Sequence, residues 1–102
     1  MTVTSTLPSR SGDGYIRLSG ELDLAAVHEC APEAIRTAQA AQDGVTVDVR
    51  DVTFIDSAGA GLLGDILALS TIRGHPVVLL GASRQLRELL LLRGIESLFS
   101  YR

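Results

Sequence analysis

The sequence predicts an α/β fold, a single layer of about four to five mixed β-strands with helices packed against it. Helix-like runs follow strand-like runs from residue 20 onward, an order that favours parallel neighbours in one sheet. Val45-Thr46-Val47-Asp48-Val49 alternates strictly between apolar and polar, as a half-buried strand does. Val77-Val78-Leu79-Leu80 is continuously apolar and reads as a strand covered on both faces. With 102 residues and 46% hydrophobic content, the chain has enough for one core, so residues 1–102 are expected to form one domain.

Each element has a local reason. Residues 1–13 are polar and contain Pro8, Ser9, Ser11 and Gly12, which suggests a weak edge strand and then a turn. Tyr15-Ile16-Arg17-Leu18 reads as a short strand stopped by Ser19-Gly20. Asp23 is a helix N-cap candidate ahead of Leu24, Val27, Ala31, Ile35 and Ala38, whose three- and four-residue spacing marks a helix face. Pro32 either kinks that helix or restarts it. Asp43-Gly44 leads into the alternating strand, and Phe54-Ile55 is a further apolar pair. A helix is expected from about Ser57 to Ile72, with Leu63, Ile66, Leu67 and Leu69 as its apolar face, broken by Arg73-Gly74-His75-Pro76. Ser83 caps a last helix with Leu86, Leu89 and Leu90 inward, ending at Arg93-Gly94. Ile95, Leu98, Phe99 and Tyr101 form an apolar tail expected to dock on the core.

Composition narrows the function. No apolar run reaches the roughly 18–20 residues that span a bilayer, and no basic-then-apolar leader opens the chain, so a cytoplasmic protein without a membrane partner is expected. Cys30 is the only cysteine, which excludes an intrachain disulfide and a four-Cys zinc site and leaves a free buried thiol. Residues 1–65 carry four Arg against ten acidic residues, whereas residues 66–102 carry five Arg against two Glu; there is no Lys. An acidic first part without a basic stripe is a poor surface for nucleic acid and a better one for a basic protein partner.

The densest chemistry lies in Phe54-Ile55-Asp56-Ser57-Ala58-Gly59-Ala60-Gly61-Leu62-Leu63-Gly64. Gly59, Gly61 and Gly64 satisfy G-x-G-x-x-G between a strand and a helix, but no acidic residue ends the next strand to hold a ribose. A P-loop fails for want of a Lys. A hydrolase elbow around Ser57 fails because Ile55 stands where a small residue is needed, and neither His28 nor His75 is placed as its base. A purely structural role for Asp56 and Ser57 as caps is consistent with about 1 kcal/mol of cap stabilisation. Three glycines in one helix, each costing up to about 1 kcal/mol relative to Ala, point instead to a surface that another backbone approaches. A phosphoacceptor serine on a docking surface fits both features. Phosphate at a helix N-terminus adds about −1.5 to −2 charges without unfolding the helix.

These segments together resemble the STAS domain family, and within it the bacterial anti-sigma factor antagonists. The resemblance covers about Tyr15 to Tyr101. It rests on Gly20-Glu21-Leu22-Asp23-Leu24, on the run from Val45 through Asp56-Ser57-Ala58-Gly59, on Val77–Gly81 and on Leu89–Ile95, in order and spacing. It implies a single STAS domain over 1–102 that is not an enzyme and carries no cofactor or metal. Its unphosphorylated form would bind an ATP-binding anti-sigma factor serine kinase and so free a sigma factor. Phosphorylation of Ser57 would end binding, and a separate phosphatase would restore it. Partner-binding positions carried over are Asp23, Asp56, Ser57, Ala58, Gly59 and Gly61. Ala58 replaces a common second hydroxyl residue and leaves Ser57 the sole local acceptor; Ala60 replaces a larger apolar residue. The chain resembles the stand-alone members rather than those in anion transporters or stress complexes. The competing function is a small anion- or nucleotide-binding STAS module, with the glycine-rich helix start as its phosphate site.

Overall fold

The computed structural model describes residues 2–6 and 13–102. The elements are β1 (Thr2–Thr6), β2 (Asp13–Leu22), α1 (Leu24–Ala40), β3 (Gly44–Ile55), α2 (Ser57–Ile72), β4 (Val77–Leu80), α3 (Arg84–Leu92), a 3₁₀ turn (Glu96–Leu98) and β5 (Ser100–Tyr101). The strands form one sheet in the order β1-β2-β3-β4-β5. β1 pairs antiparallel with β2, and the four strands from β2 to β5 are mutually parallel. The mixed sheet expected from sequence is therefore observed, with β1 as an edge strand. The expected turn at Pro8, Ser9, Ser11 and Gly12 falls outside the described residues.

Three successive crossovers step along the sheet in one direction, which for right-handed connections puts all three helices on one face. The burial pattern agrees. Ile16, Leu18, Val45, Val47, Val49, Val77 and Leu79 are buried toward the helices, while Tyr15, Thr46 and Val78 on the alternate positions are half-buried. The expectation that Val77–Leu80 is covered on both faces is thus corrected: Val78 and Leu80 stay half-exposed because no helix packs over them.

Both β2 and β3 run further than the alternating pattern suggested. β2 does not stop at Ser19-Gly20 but continues to Leu22. In β3 the helix-facing residues change from every second to every third position, Val49 to Val52 to Ile55. The pairing shows why: Arg17 opposes Asp48 but Ser19 opposes Asp51, and Gly20 opposes Val52 but Glu21 opposes Phe54. Each shift inserts one extra residue into β3, and together the two bulges return Ile55 to the core face. Bulges of this kind terminate period-2 reading without terminating the strand.

α1 corrects the expected helix face. Its buried stripe is Ala26, Cys30, Ala34, Thr37 and Ala38, whereas Leu24 is 59% exposed and Val27, Ala31 and Ile35 are half-buried. Small residues let the helix approach the sheet closely. The larger ones instead line an open groove with His28 and Pro32. Pro32 lies within a continuous helix, so neither a restart nor a break occurs there. Burial raises the pKa of the Cys30 thiol, consistent with an inert core position. α2 is the central helix, burying Ala60, Leu62, Leu63, Ile66 and Leu67, while Leu69 is only half-buried. In the tail Phe99 is buried and Ile95 and Tyr101 are half-buried. Leu98 does not dock on the core and is 61% exposed. The tail also adds β5, whose Ser100 and Tyr101 pair with Val78 and Leu79.

Among the described residues, Asp48 is the buried charge on the helix-free face of the sheet. Asp48 is 1% exposed and accepts from the Tyr15 hydroxyl at 2.5 Å, from Arg50 Nε at 3.0 Å and from Arg50 Nη2 at 2.8 Å. The Arg50 guanidinium and the Tyr15 hydroxyl hold its carboxyl well below the usual carboxylate range despite burial. A carboxylate whose folded pKa is depressed contributes stability above its unfolded pKa of about 3.9, and loses it as pH falls below that value. Asp48→Asn is therefore expected to lower the unfolding free energy by about 1–3 kcal/mol at neutral pH. It should also reduce the further loss of stability in acid. Urea unfolding of both proteins at neutral pH and at about pH 3 measures both effects.

Candidate functional site

β2 and β3 are parallel neighbours that end side by side, with Leu22 opposite Ile55. The helices that follow them consequently start side by side as well. Asp23 caps α1, its side chain accepting from Ala26 N at 2.9 Å. Asp56 caps α2, accepting from Ala58 N at 2.9 Å and Gly59 N at 3.2 Å. Asp56 N donates to Leu22 O at 3.5 Å, so the start of α2 is tied to the end of β2. Ser57 is the first residue of α2 and is exposed; it is not itself the cap.

The six residues singled out from sequence divide into two groups. Asp23, Asp56 and Ala58 are half-buried and Ser57 is exposed, all at or beside the two helix starts. The glycines have internal reasons instead. Gly59 is buried, and a Cβ there would lie 2.6 Å from Leu22 O and 2.8 Å from Ile55 Cγ1, so it serves the seam between α2 and β2 rather than a partner's backbone. Gly61 is half-exposed and has the Arg93 guanidinium over it, 3.4 Å from a would-be Cβ.

Three neighbours were not visible in the sequence. Phe54 is 45% exposed at the end of β3, and Leu24 is exposed on the first turn of α1. Large apolar side chains thus stand at both helix starts, where periodicity had assigned Leu24 to the core. Arg93, the C-cap of α3, donates from Nη2 to Ser57 O at 2.7 Å. Gly94 follows it at φ +74°, a left-handed turn that ends α3 beside α2. Among the described residues, no group of three His, Cys, Asp or Glu side chains is placed to hold a metal.

A family model described as "Mlab, STAS domain" matches residues 5–100. The chain belongs to the STAS domain family. Solved structures similar to this STAS domain include the anti-sigma factor antagonist SpoIIAA in its unphosphorylated form, at 24% identity and TM-score 0.74, covering 89% of this chain and 83% of that one. The phosphorylated form of the Bacillus cell fate determinant SpoIIAA matches at 22% identity and TM-score 0.77, covering 99% and 91%. An antisigma-factor antagonist STAS domain from Rhodobacter sphaeroides matches at 28% identity and TM-score 0.64, covering 81% and 91%. No curated protein matches the sequence. The fold expected from the sequence resemblance is therefore that of the STAS domain, the fold that anti-sigma factor antagonists share.

The contrast between the two glycines is testable. Gly59→Ala must displace backbone and is expected to destabilise the domain by about 1–3 kcal/mol. Gly61→Ala meets only the end of a flexible side chain and gains helix propensity, so its change should stay within about 1 kcal/mol of zero. Chemical denaturation of the two variants beside the parent protein reads this directly.

Proposed function

We propose that this STAS domain is an anti-sigma factor antagonist switched at Ser57. Its unphosphorylated form binds an anti-sigma factor serine kinase and thereby frees a sigma factor; phosphate on Ser57 ends the complex. The observation that carries the proposal is the exposed Ser57 hydroxyl on the first residue of a helix already capped by Asp56. A group added there changes the charge of the surface without displacing a buried side chain. The two forms of SpoIIAA, unphosphorylated and phosphorylated, support the same chemistry for a protein of this fold.

The surroundings suit a protein partner. Leu24 and Phe54 supply exposed apolar contacts, and Glu21, Asp23 and Asp56 supply negative charge at the ends of β2 and β3. That combination favours a basic partner surface with an apolar centre. In the transfer step the kinase's ATP gives its γ-phosphoryl group to Ser57 Oγ, ADP leaves, and the hydroxyl proton passes to a base of the kinase. A phosphatase hydrolyses the ester to regenerate the hydroxyl and release phosphate. The domain is the substrate in both steps, so it needs neither a catalytic group nor a cofactor of its own. Among the described residues no helix is long and apolar enough to cross a membrane. The role places the protein in the cytoplasm, with neither nucleic acid nor membrane as its partner.

Phosphorylated Ser57 would put a bulky, strongly hydrated dianion beside Asp56 and among the apolar contacts of Leu24 and Phe54. Its desolvation there and its repulsion from Asp56 outweigh attraction to a basic partner rim. Affinity capture from the native cytoplasm should therefore recover an ATP-binding kinase-like protein on wild-type and Ser57→Ala baits. Ser57→Asp should bind it at least about tenfold more weakly. Equal recovery of the same proteins on all three baits would leave Ser57 a helix residue only.

A further inference from the structure

We propose that Arg93 clamps the phosphate of phosphorylated Ser57 and is the positioning residue of the switch. The proposal deepens the function argued above and rests on it for the presence of the phosphate. Its observations, however, lie on α3 and are independent of that function. Arg93 Nη2 donates to Ser57 O at 2.7 Å across 36 residues of sequence, and the guanidinium lies over Gly61, where a side chain would press on it. Among the described residues no carboxylate is within ion-pair distance of Arg93, although four other arginines have such a partner. Its charge is thus uncompensated beside the residue that would gain negative charge.

The start of α2 cannot hold the phosphate well by itself. Of its first three amides, Ala58 N and Gly59 N are taken by the Asp56 carboxylate, which leaves Ser57 N alone to donate. Arg93 is the cation that remains, with a planar fork of five N–H donors matched to phosphate oxygens. A phosphate dianion is a stronger acceptor than a peptide carbonyl, so the guanidinium would turn from Ser57 O to the phosphate on the same residue. The charged groups at this edge of the sheet are Asp56 beside Ser57 in the chain, Asp23 at the start of the neighbouring α1 and Arg93, which bonds Ser57 O. The two carboxylates raise the phosphate's second pKa and Arg93 lowers it. Clamping fixes the dianion over the α2 start, across the surface that the partner would cover.

The test uses phosphoserine installed at position 57 during translation, which requires no kinase. A ³¹P NMR titration through the second phosphate pKa, near 6, is run on the wild type, Arg93→Ala, Arg93→Lys and Arg84→Ala. Arg84 is an exposed α3 arginine paired with Glu88 and serves as the charge control. Circular dichroism establishes that each variant is folded. The clamp requires a wild-type pKa about half a unit below that of Arg93→Ala, with Arg93→Lys between them and Arg84→Ala equal to wild type. That difference should shrink in about 1 M salt, where the screening length is about 3 Å. Equal pKa values in wild type and Arg93→Ala would overturn the clamp, as would an Arg84→Ala shift as large as that of Arg93→Ala. Partner capture by Ser57→Asp at wild-type strength would instead defeat the switch and leave the pKa result standing.

Discussion

The carbonyl of Leu22 is the point at which the end of β2 meets the start of α2. Asp56 N donates to it, and the bare Cα of Gly59 packs against it so closely that any side chain would collide. This contact fixes the direction in which α2 leaves the sheet, and so the position of Ser57 on the surface. The parallel pairing of Leu22 with Ile55 brings Asp23 and Asp56 to the same edge, each capping its own helix. Two short backbone constraints thus place one hydroxyl between two carboxylate caps and two exposed apolar side chains.

The frame behind that edge is stiff for ordinary reasons. α2 is central and largely buried, so its first turn is supported from behind by Leu62, Leu63 and Ile66. On the opposite face of the sheet, Asp48, Arg50 and Tyr15 form a polar network around a buried carboxylate. Removing one partner of such a network leaves the others desolvated and unpaired, which ties the middle of β2 to β3. A modification at Ser57 would therefore act on a surface whose backbone is already determined.

Much of this was legible in the sequence because caps are local. Asp23, Asp56 and Ser83 each precede an apolar-periodic run, and each accepts a first-turn amide in the structure. The parts that were not legible depend on contacts or spacings that no local rule encodes. The double bulge in β3 replaces alternation by threes and so hides the second half of the strand. In α1 the small residues face the core and the large ones do not, which inverts the usual weighting of apolar positions. β5 has two residues, too few for any periodic pattern. Arg93 reaches Ser57 only because the whole α2-β4-α3 unit folds back on itself. The glycines were legible as unusual but not in purpose, since Gly59 and Gly61 look alike in sequence and meet entirely different neighbours.

Phosphate chemistry at Ser57 is most directly tested on the protein as its own cells make it. Tandem mass spectrometry of protein recovered through growth and stress is expected to find a fraction carrying a single phosphate, localised to Ser57. Phosphate confined to a different residue, or none under any condition in which the protein is present, would contradict the account.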